Sequence, residues 1–350
     1  MTLSVHRFTL GVAIVAVALT ATGCAPTAGP SSTPTVTASA TPTPTPTPTP
    51  MAIAPLTGES FVADTLNHGV IMAKIDNHPD ARPQFGLNHT DVLFEELVEG
   101  GLTRYVAVWH SDVPDAIGPV RSIRPMDPDI ASPFKGSIAY SGGKRKFIFM
   151  MRDTQVENLM HGISKTKPYM YRTDLRAAPH NVILRAAKVI ADRQGTEAPA
   201  PAFTFATNGE MPTALQFGKM REVLHARFSY GNQPSWVWDA ENGVYKRRQA
   251  NGEWDVDENG DVLTATNVIA EIVKESHEFG YVPKALVVGK GTAYVSTGGK
   301  TFPVKWTKKD RNSFTVFTFQ DGNVVKLAPG NTWIELVPTS GKFWTDAVAK

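Results

Sequence analysis

The stretch EELVEGGLTRYVAVWH, Glu95 to His110, decides how the folded part of this 350-residue chain is built. Two runs of strand-forming residues flank Gly100-Gly101, and glycine accepts the positive φ that a tight turn demands, so the stretch reads as a β-hairpin. With a two-residue turn, Glu99 faces Leu102, Leu97 faces Arg104 and Glu95 faces Val106. Side chains alternate along a strand. Glu95, Leu97 and Glu99 then share a face with Leu102, Arg104 and Val106, while Glu96 takes the other face opposite Tyr105. Arg104 lies diagonal to Glu95 and Glu99, within reach of both. Two readings stay open: a carboxylate–arginine ladder that sets strand register, or one wall of a polar cleft. Glu95 and Glu99 stand roughly 13 Å apart along a strand. Glycosidase carboxylate pairs stand at about 5–9.5 Å, so the hairpin alone supplies no such pair.

Outward from the hairpin, VIMAKID (Val70 to Asp76) reads as a strand that ends in the turn-like NHPDARP. IGPVRSIRP (Ile117 to Pro125) reads as a stiff loop, and GSIAYSGG as a strand running into a glycine turn. NVILRAAKVIADRQG (Asn181 to Gly195) has helical spacing, with Asn181 as cap and a closing glycine. TEAPAPA (Thr196 to Ala202) is the best linker. Beyond it ARFSY, WVWDAENGVYKRR, ALVVGKGTAYVSTGGKTFPVKW, FTVFTFQDGNVVKLAPG and TWIELVP alternate apolar and polar residues between turns, with one helical stretch at TATNVIAEIVKES. The expected fold class is α+β. A mixed α/β domain with a central sheet occupies residues 55–197, and a smaller antiparallel β-rich domain occupies 203–350.

Apolar residues make up 42% and charged residues 19%, enough for a packed core. The net charge of +2 carries no positive excess of the kind that nucleic-acid binding requires. The first residues give an address. Arg7 precedes the apolar run Phe8 to Leu19, which is too short for a comfortable membrane span, and ATGC follows, ending at Cys24. This is the pattern of a lipoprotein signal over residues 1–23, with Cys24, the single cysteine, as the lipidated residue. A Thr/Pro-rich segment over residues 24–54 favours extended polyproline geometry and reads as a disordered stalk, open to glycosylation. The expected location is the outer face of the cell membrane, held by the lipid. The exported part has no disulfide to hold it.

Candidate site residues cluster in three places. Arg121 and Arg124 flank Ser122 in IGPVRSIRP, and guanidinium groups in a stiff loop suit phosphate or carboxylate; Arg104 joins them as a further candidate. RAAPHN delivers His180 to an expected helix start, where the dipole disfavours imidazolium. DNHPD places Asp76 and His78 at a strand end. Asp76, Glu99 and His180 are the acid–base candidates; Arg104, Arg121, Ser122, Arg124 and His78 are the ligand-binding ones. Each also has a purely structural reading, as an ion pair or a satisfied core histidine. No HExxH or GxSxG motif occurs, and no metal or other cofactor is expected. DVDENGD (Asp255 to Asp261) resembles the opening of a calcium loop, but Thr266 stands where the bidentate glutamate belongs, so it reads as a hairpin turn.

LTGE, KIDNHPDARPQFGL, DVLFEELVEGGLTRYVAVW, IGPVRSIRP, the glycines after SIAYS, and APHN together resemble the YerB-like bacterial lipoprotein family. VWDAENGVYKRR, TATNVIAEIV and DGNVVKLAPGNTWIELVP resemble its C-terminal part. The chain departs from the family pattern at Asp255, where a histidine is expected, and at SGGKRKFIF. The resemblance spans roughly Leu56 to Pro338 and implies an exported lipoprotein with a two-part domain of unknown function. It assigns no activity. The functional expectation is a membrane-anchored extracytoplasmic protein that binds an anionic cell-envelope component or scaffolds an envelope complex with a membrane protein partner. The alternative is an envelope hydrolase or transferase with an Asp/Glu/His site.

Overall fold

The structure is a computed structural model that describes residues 49–207, 209–319 and 321–347. The expected signal peptide, the lipidated Cys24 and the stalk up to residue 48 lie outside the described residues. The last stalk residues do not. Met51–Ile53 pair antiparallel with Ser60–Val62, and Ala54 and Leu56 are fully buried. The paired strand thus takes in Met51–Ile53, ahead of the expected domain start at Pro55; these residues carry the backbone N–H groups that the prolines of the Thr-Pro repeat lack.

The protein is mostly β, with few and short helices. Its main strands are β1 (Ile71–Asp76), β2 (Val92–Leu97), β3 (Thr103–Trp109), β4 (Ser137–Tyr140), β5 (Glu157–Met160), β6 (Asn267–Phe279), β7 (Gly289–Thr297), β8 (Lys300–Lys308) and β9 (Thr332–Pro338). They form one sheet in the order Lys219–Met220, β8, β7, β6, β9, β2, β3, β1, β4, β5. Strand β9 lies parallel to both of its neighbours, β6 and β2. The stretches 55–197 and 203–350 therefore share a sheet, and Thr49–Lys350 is one compact unit.

Both faces of the sheet are covered, which is why its central strands read as nearly continuous apolar runs. On one face Met72, Val106, Val108 and Ile138 pack under helices α1 (Asp127–Ala131) and α2 (Arg145–Arg152), with Phe147 and Met151 buried. On the other, Ile75, Tyr105, Trp109 and Trp333 meet Leu224, Trp236 and Tyr245 of a five-stranded antiparallel sheet. Trp236 and Trp333 meet edge to face at 4.9 Å, a pairing worth about 0.5–1.5 kcal/mol beyond the area it buries.

Three expectations are corrected. The hairpin exists, but its loop is the three residues Glu99–Gly101, with φ of 75° and 72° at the two glycines and Val98 N–H donating to Leu102 O. Leu97 pairs with Thr103, Glu96 with Arg104 and Glu95 with Tyr105. The one-residue slip moves Arg104 to the face of Glu96, and no Glu95–Arg104 ladder forms. Second, Asn181–Gly195 is not one helix. Val182–Arg185 is a strand between Ala116–Ile117 and Met170–Arg172, and only Ala186–Ala191 is helical. The Val-Ile-Leu run is buried against the sheet, and burial of these branched residues decides over helical spacing. Third, the expected helix TATNVIAEIVKES is mostly strand β6.

Candidate functional site

Asp76 ends β1, and its rung continues through Arg104 on β3 to Glu96 on β2. Strand β4 pairs with β1 only over Ile71–Ala73. Beyond that point the loop after Ile117 takes over the free edge of β1: Asp76 N–H donates to Pro119 O at 2.9 Å, and Arg121 N–H to Lys74 O at 2.7 Å. The loop then runs beside the glycine turn after β4, with Ser141 N–H on Arg121 O and Ile123 N–H on Gly142 O, both at 3.0 Å. The strands and this strap fix the arginines.

Every candidate site residue arrives here. Arg121 Nε donates to Asp76 Oδ2 at 2.8 Å, and His180 Nδ1 meets the same oxygen at 2.7 Å. The His78 ring stacks on His180 at 4.6 Å, and the His78 N–H donates to Asp76 Oδ1 at 3.2 Å. Arg124 Nε donates to Glu99 Oε2 at 2.7 Å, its Nη2 donates to the other Glu99 oxygen, and Arg104 lies 4.0 Å from Glu99. Ser122 contributes its carbonyl, which accepts from Arg104 Nη1 at 2.7 Å and Arg124 Nη1 at 3.0 Å.

His180 corrects the expectation of a helix-start histidine. It precedes a strand, so no helix dipole acts on it; the Asp76 carboxylate holds it instead. With Nδ1–H given to Asp76, its Nε2 is left as the acceptor or ligand atom. Glu99 does not join Asp76 and His180 in one acid–base group, because the arginines claim it.

Below the arginines lie residues that sequence reasoning missed. Lys74, fully buried, donates to Glu96 and to Asp127 Oδ1 at 2.8 Å, and Asp127 Oδ2 accepts from Arg124 N–H at 2.7 Å. One ammonium facing two buried carboxylates cannot neutralise both, so burial and the Asp127 charge push Glu96 up to about 8. The signal was there: a lysine inside the apolar strand VIMAKID needs buried partners.

The electrostatics follow from crowding. Burial, then the neighbouring charge of Arg124, lowers Arg104 to about 10, with Arg121 adding to the effect. Burial would raise Glu99, but hydrogen bonding and charge from Arg124 outweigh it and hold Glu99 at about 2. Three guanidinium groups thus face two carboxylates, Asp76 and Glu99, with one positive charge in surplus. Arg104 has all but 8% of its surface buried, and Arg124 all but 7%. Arg121 is the most open of the three, and no protein acceptor meets its Nη1 or Nη2 among the described residues.

Comparison with known proteins matches both halves of the chain. Residues 56–198 fit the family model described as "Protein of unknown function (DUF3048) N-terminal domain", and residues 224–334 fit the DUF3048 C-terminal domain. The chain is 26% identical over 302 residues to the protein named "Putative lipoprotein YerB" of Bacillus subtilis (strain 168), covering 81% of this chain and 86% of that one. The crystal structure of YerB protein from Bacillus subtilis superposes with a TM-score of 0.71 at 22% identity, over 84% of this chain and 99% of that one, which shows a shared fold. Matched in order by both domain models over most of its length, the chain belongs to the DUF3048 family, the family of YerB-like proteins.

Proposed function

We propose that this chain is a lipoprotein anchored through Cys24 to the extracytoplasmic face of the cell membrane, and that it binds a carboxylate or phosphate of the cell envelope at Arg121. In this reading the N-terminal α/β stretch carries the site and the β-rich C-terminal stretch braces it. The observation that carries it is the Arg121 guanidinium, held through Nε by Asp76 with both terminal nitrogens unused among the described residues. Two parallel N–H groups on a fixed guanidinium are the geometry for bidentate recognition of such an anion. The loop that presents it is strapped to β1 and to the glycine turn, so little ordering entropy is lost on binding. The name of the Bacillus relative supports the anchor, and among the described residues no helix is long and apolar enough to cross a membrane.

The test is a melting-temperature shift of the protein against cell-wall peptides, teichoic-acid fragments and inorganic phosphate, beside Arg121→Ala. A ligand at a hundredfold excess over its Kd stabilises by about 2.7 kcal/mol, and a surface anion site weakens with salt. A shift present in the wild type and absent in Arg121→Ala supports the reading; equal shifts in both proteins, or none in either, overturn it.

A second reading, an envelope hydrolase or transferase, is favoured by one observation: the Asp76–His180 pair at 2.7 Å, which orients an imidazole as an Asp orients a general base. Turnover of an envelope substrate, lost on His180→Ala, would establish it. Binding without turnover, with a membrane protein as the ligand, would mark the scaffold form of the first reading.

A further inference from the structure

The turn after β1 gathers a second set of donors that the anion reading does not use. His78, Asp80 and His180 each offer one ligand atom, and the three atoms lie within 4.8 Å of one another. A tetrahedral ion with bonds of about 2.0–2.2 Å holds its donors roughly 3.3–3.6 Å apart. The set is open by little more than an ångström. The exposed members can close that gap: the side chain of Asp80 is 72% exposed and that of His78 is 35%, on a short turn, whereas His180 is 12%.

A further observation points to a cation, and a second shows what binding must displace. His180 gives Nδ1 to Asp76, the carboxylate–histidine arrangement that orients metal-bound imidazoles and makes the other nitrogen a better donor. His78 Nδ1 accepts the backbone N–H of Asp80 at 3.2 Å, so its lone pair is on that atom, yet the Asp80 carboxylate faces it at 3.5 Å. Binding an ion through that nitrogen would exchange the Asp80 N–H hydrogen bond for the metal. The imidazoles stack with 23° between their planes, so they do not yet aim at one point. Rotation of the half-buried His78 ring is the movement that binding requires.

We propose that His78, Asp80 and His180 bind a divalent transition metal ion of the zinc type, with Asp76 positioning His180. The charge balance selects the class of ion. Asp76 and Asp80 are offset by Arg121 on Asp76, so net negative charge is too small to hold calcium or magnesium. Two imidazoles and one carboxylate draw a softer ion through the donors themselves. Three protein ligands leave a coordination position for water or for a ligand's oxygen.

The test uses the full chain with Cys24→Ser, which removes the single thiol. Chelator-stripped protein is titrated with Zn²⁺ by calorimetry and with Co²⁺ by its visible d–d absorption, with no anionic ligand present, so the result stands apart from the anion reading. The expected result is one ion per chain and a raised Tm. Affinity falls at least tenfold in His78→Ala, Asp80→Asn and His180→Ala, and roughly 10–100-fold in Asp76→Asn. His78→Ala and Asp80→Asn lie on an exposed turn and are checked for an unchanged fold by circular dichroism. Absence of saturable binding up to millimolar metal overturns the proposal, and so does equal affinity in wild type, His78→Ala and Asp80→Asn.

Discussion

Glu95 and Arg247, 152 residues apart, form a fully buried ion pair that fastens the hairpin to the C-terminal stretch. Asp255 takes the other side of the guanidinium, whose centre lies 5.2 Å from the ring of Trp333 and 5.8 Å from those of Trp236 and Tyr105. Glu335 stands beside Glu95 on the neighbouring strand, and burial and the Glu95 charge push its carboxyl well above the ordinary range. Asp255 is thus a charge partner for Arg247.

Removing one member strands the other in a dry interior. Arg247→Met and Glu95→Ala are each expected to cost about 3–5 kcal/mol of unfolding free energy. The double variant is expected to lose less than the sum, since each change already breaks the same pair. Urea unfolding followed by tryptophan fluorescence and by far-ultraviolet circular dichroism measures this. Because the pair spans both stretches, the two signals should move together to lower urea.

How far could these contacts be read from the sequence? The hairpin was legible, because Gly-Gly between strand-forming runs has few other uses. Its register was not, since a two-residue and a three-residue loop use the same glycines, and the choice turned every side chain over. Strand β6 was misread because Val268, Ile269, Ile272 and Val273 fit helical spacing as well as a strand buried on both faces. The arginines were found because a Gly/Pro-stiffened loop needs a reason to carry two of them. What was not legible is Asp76 as the common partner of Arg121 and His180: these contacts join residues 45 and 104 apart, and only the topology brings them together.

Stability should fall as pH rises through neutrality, and Glu271 is one cause. Burial raises its carboxyl to about 8 from 4.5, although the charge of Lys308 opposes this, and its Oε1 has no hydrogen-bond partner. The folded state therefore holds a proton that the unfolded chain has released between about pH 4.5 and 8, so folding loses stability across that window. Lys308, lowered to about 8 from 10.5 by burial, acts in the opposite direction between about 8 and 10.5. Glu271→Gln is expected to flatten the decline of Tm between pH 5 and 8 and to be the more stable protein at pH 8. A steeper decline in the variant would contradict this.

Glu99 works with the opposite sign. Its folded value of about 2 lies below the ordinary 4.5, so its contribution is complete above about pH 4.5 and disappears as pH falls toward 2. Glu99→Gln should lower Tm at pH 7, and the gap to wild type should close between pH 4.5 and 2. The side chain is 29% exposed, so solvent screening keeps the gap small.

The three arginines should separate by role. Arg124 uses Nε and Nη2 on Glu99 and Nη1 on the carbonyls of Ser122 and Ile123, so its donors are committed to the protein. Arg104 is buried and braces the same Ser122 carbonyl. Truncating either breaks charge-assisted hydrogen bonds worth about 1.5–3 kcal/mol each, so Arg124→Ala and Arg104→Ala should unfold at clearly lower urea concentration. Among the described residues Arg121 makes one side-chain bond, to Asp76, which keeps His180 and the His78 N–H as partners when it is gone. Arg121→Ala loses that one bond, about 1.5–3 kcal/mol, and so is expected to unfold less readily than Arg124→Ala while abolishing anion-dependent stabilisation. Arg121→Lys keeps the charge but not the planar pair of N–H groups, and should restore only part of the binding. Full restoration by lysine would show that charge alone suffices, and the bidentate geometry argued for Arg121 would then fail.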